Sequence, residues 1–121
     1  MAALSLTARP SQGAIDWRGW IGPFFGSPGP ELMRRRVRIG PFVLYVRWWH
    51  DRVMLADIIA EGGGRSGSLS DLLDGLEAEL PTLGFHELHA ENVFADWLIA
   101  WLERRGFQPK YDRHNLMKVL R

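Results

Sequence analysis

The segment that most constrains this chain runs from Arg52 to Pro81. Arg52-Val-Met-Leu-Ala-Asp-Ile-Ile-Ala60 is nearly all apolar, as in a central strand covered on both faces. A glycine-rich loop follows, Glu61-Gly-Gly-Gly-Arg-Ser-Gly-Ser68. Leu69, Leu72, Leu73, Leu76 and Leu80 then recur at i, i+3, i+4, i+7 and i+11, a continuous apolar stripe that predicts a helix. Ser68 and Asp71 have the spacing of a capping box, and Pro81 stops the helix. A glycine-rich turn opening a helix presents free backbone N–H groups at the positive end of the helix dipole. It can hold a phosphate or pyrophosphate without any particular side chain. Gly62, Gly63, Gly64 and Gly67 permit close ligand approach, Ser66 and Ser68 add hydroxyl donors, and Arg65 adds a charge-assisted one. A flexible turn with no ligand is the alternative reading of the same residues.

Two nucleotide-binding loops can be compared with this one. The Walker pattern needs Gly-Lys-Ser/Thr, and the only lysines are Lys110 and Lys118. Gly62-Gly-Gly-Arg-Ser-Gly67 satisfies Gly-x-Gly-x-x-Gly literally. That fingerprint belongs after the first strand of a dinucleotide domain, whereas here too little chain follows it.

Around this segment the chain reads as one domain of 121 residues, since two cores of half that length would each be too small. Residues 1–30, with Pro10, Pro23, Pro28, Pro30 and five glycines, read as an irregular segment packed by Trp17 and Trp20. Arg34–Ile39 and Phe42–Trp49 flank Gly40-Pro41 and predict a β-hairpin. Arg34-Arg-Arg36 suits a solvated edge strand, with a phosphate or acidic-partner contact as the alternative. After Pro81 come a short strand at Phe85–Ala90 and a helix at Ala95–Arg105 with the stripe Phe94, Trp97, Leu98, Trp101 and Leu102. Gly106 supplies the left-handed residue that closes it. Strands at Gln108–Asp112 and Leu116–Leu120 are joined by the turn 112–115.

Strand, glycine loop, helix, strand and helix in this order resemble the GNAT N-acetyltransferase superfamily. The resemblance is carried by Gly64-Arg-Ser-Gly67-Ser-Leu69, then Leu72-Leu73, and then Trp97-Leu-Ile-Ala-Trp-Leu-Glu-Arg-Arg-Gly106-Phe107. It covers about fifty residues, with the cofactor-binding core at 52–107. It implies an α/β (α+β) fold: a mixed, mostly antiparallel twisted sheet with helices on both faces, splayed between the Arg52–Ala60 and Phe85–Ala90 strands. Acetyl-CoA would lie in the splay as substrate. Its pyrophosphate would meet the amides of Gly62, Gly63, Gly64, Arg65, Ser66, Gly67 and Ser68, and its pantetheine would pair with Ile59 and Ala60. An amine acceptor would attack the thioester, aided by a general base and often by a tyrosine that protonates the thiolate. In this register Gly64 stands at the family's Arg/Gln position and Leu69 at its second loop glycine. Leu102 stands at the tyrosine, and Ala95 at a helix-starting asparagine, with Asn92 three residues early.

Asp57, Glu61 and Glu91 are the candidate bases, placed on or at the ends of the two splayed strands. Asp57 alternates with Leu55 and Ile59 and so shares their face, where burial would raise its pKa. An arginine partner or a wetter strand end is the plainer reading. His86 and His89 point to opposite faces of a strand and cannot chelate one ion, so no metal is expected. With no cysteine, disulfides, thiolate nucleophiles and Cys-based zinc are excluded. A net charge of +1 indicates no nucleic acid partner, and no run is apolar for long enough to span a membrane. Met1–Arg9 lacks the pattern of a signal peptide, which makes a cytoplasmic location the expectation. Two functions fit. One is an acetyl-CoA-dependent N-acetyltransferase. The other is a catalytically inactive structural or binding protein of the same fold, such as a phage virion or accessory component. The second would use its six tryptophans, 17–20 and 48–49 above all, for a protein partner or homo-oligomer.

Overall fold

The computed structural model describes residues 5–8, 29–39, 41–60 and 67–121. Seven strands form one sheet: β1 (Ser5–Ala8), β2 (Gly29–Ile39), β3 (Phe42–His50), β4 (Arg52–Ala60), β5 (Glu87–Glu91), β6 (Gln108–Lys110) and β7 (Asp112–Val119). Their spatial order is β1-β2-β3-β4-β5-β7-β6. Only β1–β2 and β4–β5 run parallel, so the sheet is mixed and mostly antiparallel, as expected. Helix α1 (Gly67–Glu79) crosses from β4 to β5, and α2 (Asp96–Arg104) from β5 to β6. None of the described helices is long and apolar enough to cross a membrane.

Ser5–Ala8 corrects the irregular reading of the first thirty residues. Its polar–apolar alternation is a strand signal, and it pairs from Ser5↔Arg36 to Ala8↔Ile39. β2 is therefore covered along Arg36–Ile39 and is no edge strand there, contrary to expectation. The β2–β3 hairpin forms as predicted, with Ile39 paired to Phe42.

Alternation divides the sheet. Leu44, Val46, Trp48, Val53, Leu55, Leu88, Ala90 and Leu116 share one core with both helices. The α1 leucines 69, 72, 73 and 76, with Leu80 just beyond the helix, are all buried within it, as their period requires. On α2 the buried residues are Leu98, Ile99 and Leu102, whereas Phe94 is 69% and Trp97 47% exposed. The face of α2 is thus turned about one residue from the aromatic stripe, because the aliphatic side chains fit between helix and sheet. Phe94 instead stacks against His114, and Trp101 lies beneath the Arg105 guanidinium. Trp48, expected at an interface, is buried edge-on to Phe85, while Trp17 and Trp20 lie outside the described residues. Both described helices cover the same face. Among the described residues neither helix covers the opposite face, where the resemblance implied a helix as well.

α1 already includes Gly67, so Ser68 lies within its first turn and not at its cap. A 3-10 turn at Leu80–Leu83 follows, closed by Gly84 at φ 94. The last turn also shifts. Tyr111, at φ 76, links β6 to β7, and Asp112–Asn115 belong to β7. The turn chemistry of Asp112 is real but local: its Oδ1 accepts the His114 amide and Asn115 Nδ2. Those bonds, Asn115's first, hold the Asp112 carboxyl below its usual range.

At the end of α2, Gly106 (φ 99) donates its N–H to Glu103 O, and Phe107 donates to Leu102 O. This pair is a Schellman motif, with Phe107 and Leu102 both buried. A Cβ on Gly106 would sit 3.5 Å from Lys118 Cε, an ordinary contact, so the backbone angle alone demands glycine. Gly106→Ala is expected to lower unfolding stability by about 1–2 kcal/mol, the cost of a left-handed L-residue. Gly106→Asn should lose less, since asparagine tolerates that region. Urea titration of both variants checks the order.

Candidate active site

β4 and β5 pair from Arg52↔Glu87 to Ala56↔Glu91 and no further. β4 runs on to Ala60, still held by β3 through Ile59↔Val43 and Ala60↔Phe42. β5 ends at Glu91, after which the Val93 amide bonds to His114 O of β7. The chain thus leaves β4 and stays with β7 past Ala56 and Glu91, at the place where the resemblance implies a splay between these two strands.

A bulge sits where the strands part. Between Tyr45↔Ala56 and Val43↔Ile59, β4 spends Asp57 and Ile58 against the single Leu44. Asp57 takes φ 55, which aspartate tolerates better than most residues. The extra residue inverts the alternation. Leu55 is buried and Ile58 and Ala60 pack against the core, but Ile59 is 57% exposed. Asp57 therefore does not share an apolar face with Leu55 and Ile59, as strict alternation predicted. It is half-buried and accepts a hydrogen bond from Asn92 Nδ2 at 3.1 Å.

Asn92 holds the opening. Its own backbone is left-handed, at φ 57, and its N–H donates to Asn115 Oδ1 at 3.2 Å. One residue so joins β4 and β7 across the end of β5. Beside it Arg47 Nη2 donates to both oxygens of Glu91, at 3.1 and 3.3 Å, over the small Ala56 side chain. Arg47, Ala56, Glu91, Asn92 and Asn115 line a polar cavity of about 220 Å³. These β-strand positions alternate with core residues, so the cavity opens on the face away from the helices.

The structure thus brings Asp57 and Glu91 to one opening through Asn92. Ile59 and Ala60 lie on the stretch of β4 that β5 leaves unaccompanied. Glu61, Gly62, Gly63, Gly64, Arg65 and Ser66 lie outside the described residues. Gly67 opens α1, and a Cβ there would meet nothing within 4 Å, so space adjoins the helix start. Leu102, which the sequence resemblance sets opposite a tyrosine, is 1% exposed in the core. Arg47, Asn92 and Asn115 were not singled out as site residues by sequence. In sequence Asn92 is marked only as lying three residues ahead of a helix-starting asparagine; its place just past a strand, suited to a left-handed turn, is the signal that could have found it.

No protein-family model and no curated protein matches the sequence. Among solved structures, the chain superposes on a protein assigned as an acetyltransferase from Agrobacterium tumefaciens, with a TM-score of 0.50 and 15% identity over 85% of each chain. The fold is GNAT-like. A second similar structure is a mutant of the toxin AtaT bound to acetyl-CoA and to the C-terminus of the antitoxin AtaR. It has a TM-score of 0.44 and 12% identity over 69% of this chain, and the match spans 59% of the AtaT chain.

On the cavity face, four and two residues before Glu91, Glu87 Oε1 meets His89 Nε2 at 2.8 Å. The hydrogen bond from His89 lowers the Glu87 pKa below its ordinary 4.5 against an opposing cost of burial, with Lys110 and Arg52 adding to the pull. A carboxylate with a depressed pKa stabilises the fold fully above pH 4.5 and loses that contribution as pH falls through the lowered value. His89→Gln is expected to be less stable than the parent chain at neutral pH. The gap should narrow as pH drops below 4.5, read by urea unfolding at several pH values.

Proposed function

We propose that this chain is an acetyl-CoA-dependent N-acetyltransferase that transfers the acetyl group to an amine. The observation that carries the reading is the parting of β4 from β5 at Ala56 and Glu91, with β4 continuing to Ala60 and leading through a glycine-rich segment into α1. An extended chain bearing amide groups, such as pantetheine, can add to the unaccompanied Ile59–Ala60 end of β4 as a strand would. The amides of residues 62–68 and the positive end of α1 suit its pyrophosphate. The open space beside Gly67 fits close approach of a phosphate group.

When bound, acetyl-CoA supplies the thioester: the amine nitrogen forms a bond to the carbonyl carbon, the carbon–sulfur bond breaks, and the sulfur leaves as thiolate. The protein's part is to place the amine and take its proton. Asp57 and Glu91 border the opening where that nitrogen would lie, and Glu61 belongs to the segment that follows β4. One is the general base, acting directly or through a water. Leu102 cannot protonate the thiolate, so that proton comes from solvent or from a group outside the described residues.

A second reading, an inactive member of the fold serving as a structural or binding component, in a phage virion for example, is favoured by one observation. The position where a tyrosine acid would stand holds a leucine sealed in the core. The two readings separate by calorimetry. Acetyl-CoA is expected to bind the parent chain with measurable heat. Gly67→Ala should weaken it without lowering thermal stability, because the added methyl has open space beside it and alanine favours a helix more than glycine does. Absence of both heat and thermal shift at millimolar acetyl-CoA would overturn the enzyme reading in favour of the second.

A further inference from the structure

We infer that the polar cavity beside the splay is built for a small zwitterionic acceptor, an amine that carries its own carboxylate as an amino acid does. The inference rests on the acetyltransferase reading for its biological sense, and on the cavity's chemistry for its content.

The donor and acceptor sides are separated by the sheet. α1, whose start would hold the donor's phosphates, lies over one face. Arg47, Glu91 and Asn115 stand on the other, at the C-terminal ends of the parallel β4–β5 pair. A molecule seated there reaches the splay without crossing the donor's path.

The lining then selects charge. Arg47 and Glu91 place one charge of each sign 3.1 Å apart, each side chain about 30% exposed. Only Nη2 of Arg47 faces Glu91, and a guanidinium has N–H donors on three nitrogens, so a second carboxylate can be bound without breaking the pair. Glu91 keeps lone pairs for an ammonium group beside it. A polyamine would bring its second cation against Arg47, and a diacid its second anion against Glu91. A zwitterion satisfies both, and its own charges cancel as theirs do. Asn92 and Asn115 complete the lining with amide groups that hydrogen-bond to either end. Ala56 supplies the sole apolar wall among the described lining residues, which leaves little there to hold an apolar acceptor. Asp57, tied to Asn92, lies beyond the amine end and can take the proton once the nitrogen is aligned.

The test does not depend on turnover. Alanine, alaninamide and putrescine are titrated separately into the ¹⁵N-labelled full chain without acetyl-CoA, and the side-chain amide signals of Asn92 and Asn115 are followed. Alanine is expected to shift both signals, and alaninamide and putrescine to bind at least about tenfold more weakly, the loss of one charge-assisted contact. Arg47→Gln should remove the preference of alanine over alaninamide. Glu91→Gln should weaken alanine and leave simple carboxylates such as acetate bound. Equal binding of alanine and alaninamide, tighter binding of putrescine, or no shift with any of the three would overturn the inference. Calorimetry with acetyl-CoA on the same sample tells this failure from failure of the acetyltransferase reading. If the donor binds and alanine does not, only the zwitterion inference falls.

Discussion

Two neighbouring strands that run parallel cannot be joined by a hairpin, and this requirement organises the molecule around β4 and β5. The chain must climb over the sheet between Ala60 and Glu87, and α1 is what it uses. The crossover brings the leucine face of α1 onto Leu55, Leu88 and Ala90. The pairing lasts only from Ala56↔Glu91 back to Arg52↔Glu87. Its short length leaves a free strand end, a helix start and a polar cavity within one region. A longer ladder would have covered that strand end, and a shorter one would not have anchored α1.

The second helix depends on the first through charge. Glu77 of α1 meets both Arg105 and Lys118, and Arg105 also reaches Asp74 and Ser70. Lys118 in turn donates to the Arg105 carbonyl at the end of α2. Partial burial alone would lower the Arg105 pKa, but the carboxylates of Asp74 and Glu77 outweigh it and raise the value. At the C-terminal end of α2 a cation such as Arg105 could serve the dipole of its own helix. In the fold its side chain turns away and clamps α1, and Lys118 takes over the exposed carbonyl. Exposed pairs of this kind contribute little singly, but here one carboxylate is shared by two cations and three elements.

What could be read from the sequence was periodicity backed by chemistry. The stripe from Leu69 to Leu80 recurs over twelve positions with leucine alone, and every member is buried. Gly106 and Pro81 end their helices for steric reasons that operate whatever the surroundings. The strand–loop–helix–strand–helix order was legible for the same reasons. The face of α2 was not, because helical spacing fits a stripe through Trp97 as well as one through Ile99, while the space between helix and sheet admits Ile99. β1 was hidden by its length, four residues inside a stretch rich in proline and glycine. The cavity was least legible, since Arg47, Glu91 and Asn115 come from three strands and meet only by register. Asp57 is tied to the cavity-lining Asn92, but the bulge removes the face it was expected to share with Leu55 and Ile59.

That bulge also affects how this chain can be compared with others. On the two sides of Asp57, β4 obeys opposite parity: odd positions up to Leu55 point to the core, and even positions from Ile58 onward do so. A relative whose strand runs straight would match one half of β4 in phase and the other half one residue out of step. Aligned without a gap, the two chains would agree on which residues are buried for only half the strand, although both backbones follow one path. One inserted residue would thus put such a comparison out of step at the strand that leads to the proposed donor site.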